Sequence, residues 1–497
     1  MADKRKTLTL KPSTELFSPE EDIRVELHTY DLLLPCRRYE IGYKVALLGN
    51  ISPTLEFLLR LLKSVDGIDE DEARAFFGYS RTEMEYVLAE ATAPGYVDRR
   101  DGRLWLTTAG DHLFVEGGDE PAIFAVEKRR KEYGFDQLSL SPERPVALDR
   151  VEMYLPDLSV DSPFGGGNPS RAVGERFRYF FRELSDRQEK RSKRRNLYSI
   201  DSVVPSDRYQ VSVRIKIYCQ ASSPNVPEID LSSWRPDQEL SDRPQVEKAV
   251  GEFVGSLETN SSRDAEVHEI FMGLAAEFFK EYSFSRGGLS VGRYWKYAVG
   301  HRGEIRVDRR TIPLAGSLTT KDNLERVLRI VDAGLRESAP PPIVVVVPPL
   351  IKHWGATSLL RDANLLVRQK LRVERKDEVR EPEVICIMPG KHPKYLNETF
   401  DQVVGIDFHE LPPGLEFLLI PGVAVVALFH APLGTSMGVP APFGFASFDA
   451  DVVKRAGSLI VDKVVRFIER DHIRSRIESE FDKAGSPNSE GAPHIPE

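Results

Sequence analysis

The sequence predicts a multidomain chain combining α+β and α/β structure, and three observations carry that reading. Its 497 residues exceed what one ordinary hydrophobic core organises. Apolar residues recur at helical spacing in Leu55, Leu58, Leu59 and Leu62, but at strand spacing in Val211, Val213, Ile215 and Ile217. Beyond Gly303, helical patterns alternate with short apolar runs such as Ile343–Val347, as buried strands of an α/β sheet do. The expected division is an N-terminal extension over 1–50, a compact module over 51–118 and a mixed α+β middle region over 119–300. An α/β C-terminal domain over 301–484 and a disordered tail over 485–497 complete it.

Composition narrows the function classes. Hydrophobic residues at 41% and charged residues at 29% are those of a folded protein. No apolar run approaches the roughly 20 residues of a transmembrane helix, and Met1–Lys6 lacks the apolar stretch of a secretory signal. A cytoplasmic location with no membrane partner is therefore expected. Cys36, Cys219 and Cys386 lie far apart in apolar settings and read as buried free thiols. No paired Cys/His spacing, H-x3-H or HExxH supports a metal, and no dinucleotide fingerprint or G-x-S-x-G elbow is present, so no cofactor is expected. A net charge of −9 excludes a nucleic-acid binder that uses its whole surface and leaves room for a local basic patch.

Along the chain, a strand is expected at Ile23–Leu27, and strand-like runs alternate with prolines from Ala122 to Leu158. Ser162–Pro169 reads as a linker, followed by a charged helix over Ser170–Lys193 and a strand over Tyr209–Tyr218. Ser222–Arg243, rich in Pro, Ser and Asp, reads as a surface loop, and a helix follows over Ala265–Tyr282. Then come helices at Lys321–Leu335 and Ser358–Leu371, with strands at Ile343–Val347, Val384–Met388, Phe417–Ile420 and Val423–Phe429. A final helix spans Asp449–Arg470. Gly434–Phe448, with three glycines and two prolines, reads as a loop or lid over the sheet.

The segment 51–116 is the most organised. Ser52-Pro53 starts a helix, Asp69–Glu72 and Ser80–Glu83 are capping boxes, and Asp101-Gly102 turns a hairpin that ends in Leu104-Trp105-Leu106. Thr107–Gly110 opens one more turn. Three short helices, a two-stranded wing and a closing turn resemble the winged helix-turn-helix family. That resemblance implies a recognition helix that meets phosphates with basic side chains. Here the helix carries Arg81 but also Glu83, Glu85 and Glu90, and the preceding one opens on four acidic residues. A carboxylate facing a phosphate is repulsive, so contact through Arg99, Arg100 and Arg103 of the wing, or use of the module for protein contacts, are the readings left open.

Two further basic runs, Lys128–Lys131 and Lys190-Arg191-Ser192-Lys193-Arg194-Arg195, stand out. The second closes a helix carrying Arg176, Arg178, Arg182 and Arg187 with Tyr179, Phe180 and Phe181 among them. It is either an electrostatic footprint for DNA or RNA or a solvated helix end.

Around His301 the chain reads His-Arg-Gly-Glu-Ile-Arg-Val-Asp, ending at Asp308 with Gly316-Ser317 downstream. His430-Ala431-Pro432 lies about 130 residues further on. This pattern resembles a degenerate phospholipase D-like domain. The resemblance implies His301 and His430 as nucleophile and general acid, with Asp308 in support. Both lysines of the family pattern are absent, and the second motif also lacks its Asp and its Gly-Ser pair. His392 and His409 follow probable strands and are candidate pocket residues. The favoured function is a non-catalytic nucleic-acid-binding, regulatory or assembly component with protein partners. The alternative is a divergent phosphodiesterase or nuclease; a small-molecule-sensing α/β domain is the third reading. Winged helices joined to degenerate phospholipase D-like domains imply prokaryotic transcription control or antiviral defence as contexts.

Overall fold

Alternating side chains at Tyr39, Ile41, Tyr43 and Val45 continue an extended run far past Leu27. In the computed structural model one strand, β1, spans Arg24–Leu48. The structure describes residues 23–48, 52–114, 121, 124–158, 169–186, 195–234, 243–260, 264–284, 288–300, 309–375 and 378–485. The segment expected as an N-terminal extension thus supplies a central strand. β1 leads into a helical module: α1 (Pro53–Ser64), β2 (Ile68–Asp69), α2 (Glu70–Phe77), α3 (Arg81–Thr92), β3 (Val97–Arg100), β4 (Arg103–Leu106) and α4 (Thr108–Asp111). Ser52 caps α1 through the Leu55 N–H, and Ser80 with Glu83 forms a reciprocal box on α3. The short strands order as β2-β4-β3 and close a core of Leu58, Leu59, Ala73, Met84, Leu88 and Leu104, separate from the rest.

The chain then returns along β1. β5 (Phe124–Asp136) pairs antiparallel with its second half, from Cys36↔Asp136 to Leu48↔Phe124. α5 (Pro169–Asp186) follows. β6 (Arg195–Gln220) then runs antiparallel along β1 from Leu47↔Arg195 to Arg24↔Gln220. β7 (Ser223–Asp230) completes a four-stranded sheet ordered β5-β1-β6-β7. The expected loop over Ser222–Arg243 is therefore corrected: its first part is a strand. β7 lies at the sheet's edge, where Pro224 and Pro227 cost no ladder bond. Val173, Phe177 and Phe181 of α5 pack on Tyr39, Tyr43, Tyr133 and Phe135, which form a second core under the far half of the sheet.

A helix Pro244–Gly255, β8 (Thr259–Asn260) and helices Asp264–Leu274, Ala276–Lys280 and Val291–Gly300 lead on to β9 (Thr311–Ala315). The helix expected over Ala265–Tyr282 breaks at Ala275, whose backbone leaves helical geometry (φ −136, ψ 59). Next are β10 (Ile343–Val347), the β11 (Val373–Arg375) and β12 (Glu378–Arg380) hairpin, β13 (Glu383–Pro389), β14 (Gln402–Ile406), β15 (Leu415–Ile420), β16 (Ala424–Ala431), β17 (Met437–Gly438) and β18 (Ala441–Ser447). Six of them, with β9, form a mixed sheet ordered β14-β13-β10-β15-β16-β18-β9, with β10 parallel to β13 and antiparallel to β15. Helices Lys321–Gly334, Ser358–Leu371 and Ala450–Lys463 pack on this sheet. The helix expected over Asp449–Arg470 ends earlier, at Lys463, and a separate helix runs from Asp471 to Gly485.

The expected loop over Gly434–Phe448 is corrected as well. Its second half is β18, buried at every position between β16 and β9. Glycine permits this: a Cβ on Gly444 would sit 1.9 Å from the Ala427 carbonyl oxygen. One continuous core runs from Val25 through both large sheets to Ile477. Cys36, Cys219 and Cys386 are free and buried, as expected.

Candidate functional site

Two seams join the four-stranded sheet to the seven-stranded one. In the first, His430 of β16 meets Glu416 of β15, its Nε2 2.6 Å from Glu416 Oε2. Trp354 donates its indole N–H to the same carboxylate oxygen at 3.3 Å. His28 of β1 stacks on His430 with ring centroids 5.7 Å apart and holds its own Nε2 2.6 Å from the Pro440 carbonyl oxygen. Burial, with His430 beside it, pushes the His28 imidazole down to about 3, so the ring is neutral at ordinary pH. His430 Nδ1 is buried without a hydrogen-bond partner. The side chain of His430 is 1% exposed. The residues expected from the sequence to act with it, His301 and Asp308, lie outside the described residues.

The downstream Gly316-Ser317 turn has a structural task of its own. Gly316 adopts φ +91, where a Cβ would meet the Glu26 carbonyl oxygen at 2.3 Å, and Ser317 donates its N–H to the Leu27 carbonyl. The turn thereby clasps β1 at the register shift before His28.

In the second seam the buried Asp31 carboxylate accepts from Arg214 Nε at 2.7 Å and Nη2 at 3.0 Å. It also accepts from Thr357 Oγ1, Ser358 N and Ser358 Oγ at 2.8–3.1 Å. One carboxylate thus ties β1 and β6 to the N-terminus of helix Ser358–Leu371, where negative charge is favoured.

The predicted nucleic-acid residues fall into three sets. In the β3–β4 hairpin, Arg99 is clamped between Glu70 of α2 and Glu85 of α3, with contacts of 2.5–3.2 Å. Arg100 pairs with Asp98, while Arg81 and Arg103 are exposed. Hydrogen bonding to Arg99 holds the Glu85 carboxyl below its ordinary value. The clamp fixes the hairpin against α2 and α3 and neutralises much of its cationic character. The second set, Lys190, Arg191, Lys193 and Arg194, lies outside the described residues. Arg195 opens β6, and its backbone pairs with Leu47.

The third set is the helix expected to lead into that run, with Arg176, Arg178 and Arg182; it is α5, and Arg187 lies outside the described residues. Its inner face is apolar, so its outer face presents Arg171, Glu175, Arg178, Tyr179 and Arg182, all exposed. Arg176 turns back instead to donate to the Ser139 carbonyl. Of the two expected pocket residues, His409 is partly buried and burial lowers its affinity for a proton; His392 is partly exposed.

Sequence reading missed His28, Glu416, Asp31 and Arg214. A lone polar residue in an apolar strand, as Glu416 is in Leu-Glu-Phe-Leu-Leu-Ile, was the signal available. Among the described residues no group of three or more His, Cys, Asp or Glu could hold a metal ion. No described helix is long and apolar enough to cross a membrane. No protein-family model, curated protein or solved structure matches the chain.

Proposed function

We propose that this chain is a non-catalytic nucleic-acid-binding and assembly component. In this reading residues 51–116 form a winged helix-turn-helix module, followed by a mixed α+β middle region and a C-terminal α/β domain. The supporting observation is one of register. Leu47↔Arg195 and Leu48↔Phe124 bring the module's attachment point and the end of the basic run 190–195 to the same tip of the four-stranded sheet. The exposed cations of α5 lie on that same half. A cationic strip carrying an exposed tyrosine suits a phosphate backbone with bases available for stacking. The wing arginines contribute less because Arg99 and Arg100 already hold carboxylates. The burial of His430 between His28 and Glu416 favours this reading over the phosphodiesterase alternative.

The test is fluorescence anisotropy of labelled single-stranded and duplex oligonucleotides between about 50 and 200 mM salt, with product gels alongside. Binding should weaken steeply with salt. The double variant Arg178→Glu/Arg182→Glu should bind at least tenfold more weakly, with the salt slope reduced by about 2. Binding that ignores both salt and the double variant would sink the proposal. Cleavage abolished by His430→Gln would replace it with the phosphodiesterase.

A further inference from the structure

The outward face of α3 is the surface that a recognition helix would turn to DNA. Met84, Val87, Leu88 and Ala91 are buried inward, which leaves Thr82, Glu85, Tyr86 and Ala89 facing out. Tyr86 is 77% exposed, a large ring on the outer side of the helix. The residues around it are set for cations rather than phosphates. Over 52–114 the module carries twelve acidic and seven basic residues, and the wing guanidinium nearest α3 is spent on Glu70 and Glu85. The outer face of α5 is cationic instead: Arg178 and Arg182 are exposed beside the Arg171–Glu175 pair, and its own tyrosine, Tyr179, is 64% exposed.

We infer that the α3 face of one copy docks on the α5 face of a second copy. Arg178 and Arg182 would meet the ring of Tyr86 as a cation–π contact and, as a second cation beside Arg99, the Glu85 carboxylate, which stays half exposed in its pair with Arg99. The charge complementarity lies between faces of the same chain. Within one chain the module has its own core, and the ion pairs of Arg74, Arg99 and Arg100 are internal to it. Because the two patches differ, the contact is heterologous and propagates head to tail into a ring or a filament. Its regulatory meaning rests on the proposed function: the acidic module of a neighbour would occupy the strip in place of nucleic acid.

Sedimentation velocity of the full chain without nucleic acid tests the contact itself. The wild type should associate with rising concentration at low salt and dissociate at high salt. Glu85→Lys alone should be monomeric, and so should Arg178→Glu/Arg182→Glu alone. An equimolar mixture of the two should associate again, because each module then faces a strip of opposite sign; that recovery also shows that both variants are folded. Tyr86→Ala should weaken association several-fold. A wild type monomeric at every concentration and salt overturns the inference, as does association that survives either charge reversal. Addition of a single-stranded oligonucleotide separates the two proposals. Association that the oligonucleotide disperses supports both. Association that it leaves intact removes only the regulatory link to nucleic acid.

Discussion

Arg214 and Arg99 each hold carboxylate oxygens at hydrogen-bonding distance, yet they belong to different kinds of structure. Arg214 meets an Asp31 side chain that is 1% exposed, and that carboxylate also takes up hydrogen bonds from Thr357 and Ser358. Arg99 meets Glu70 and Glu85 at the surface of the module, where water and salt screen the attraction. Burial, not bond count, decides what an ion pair does. The first cannot be opened without stranding charge in the interior. The second adds little stability and acts by setting the sign of a surface.

The strongest way to break that contrast is to remove the buried partner. Asp31→Asn should cost about 4 kcal/mol, because Arg214 loses its counter-charge and the helix N-terminus its anion. Urea denaturation of wild type and variant measures this, and a loss below about 1 kcal/mol would place the seam with the surface pairs.

The other seam is read by pH. His28 is held near 3 in the folded chain against about 6.5 when unfolded, so between those values the unfolded chain binds the extra proton. Its contribution is fully present above about pH 6.5 and is lost as pH falls toward 3. The loss amounts to about 3 kcal/mol by pH 4. His28→Gln should therefore show a flatter fall in melting temperature over that window. An unchanged pH profile would mean that His28 is not kept neutral by the fold.

The smallest effect is expected from the surface clamp. Arg99→Ala should change stability by no more than ~1 kcal/mol, and its contribution should shrink as salt is raised. A larger, salt-independent loss would show the wing to be held as firmly as the buried seam.

How much of this was legible in the sequence differs by region for the same reason. The module could be read in order because its signals are local. Ser52, Asp69 and Ser80 cap helices that begin one residue later, and the leucines of α1 repeat within the helix they stabilise. The strand Ile343–Val347 was equally plain, since a run buried on both sides needs no alternation. β1 was readable only in part. The period-two pattern of Tyr39, Ile41, Tyr43 and Val45 was present but was interleaved with Arg38, Glu40 and Lys44, whose charges disguised a strand. The Gly434–Phe448 segment was misread because glycine and proline usually mark loops, whereas here Gly444 lets two strands approach closely.

By itself, then, the sequence determined the helix boundaries of the module, the central buried strand, the free thiols and the opposite charge of the α3 and α5 faces. Each of these depends on residues within a few positions of one another. Only the tertiary structure decided that His28 lies on His430, that Asp31 anchors a helix more than three hundred residues away, and that the module and the end of the basic run share one tip of a sheet. Those juxtapositions follow from strand register and sheet order. Both are selected by the burial of many side chains at once, so no local pattern encodes them.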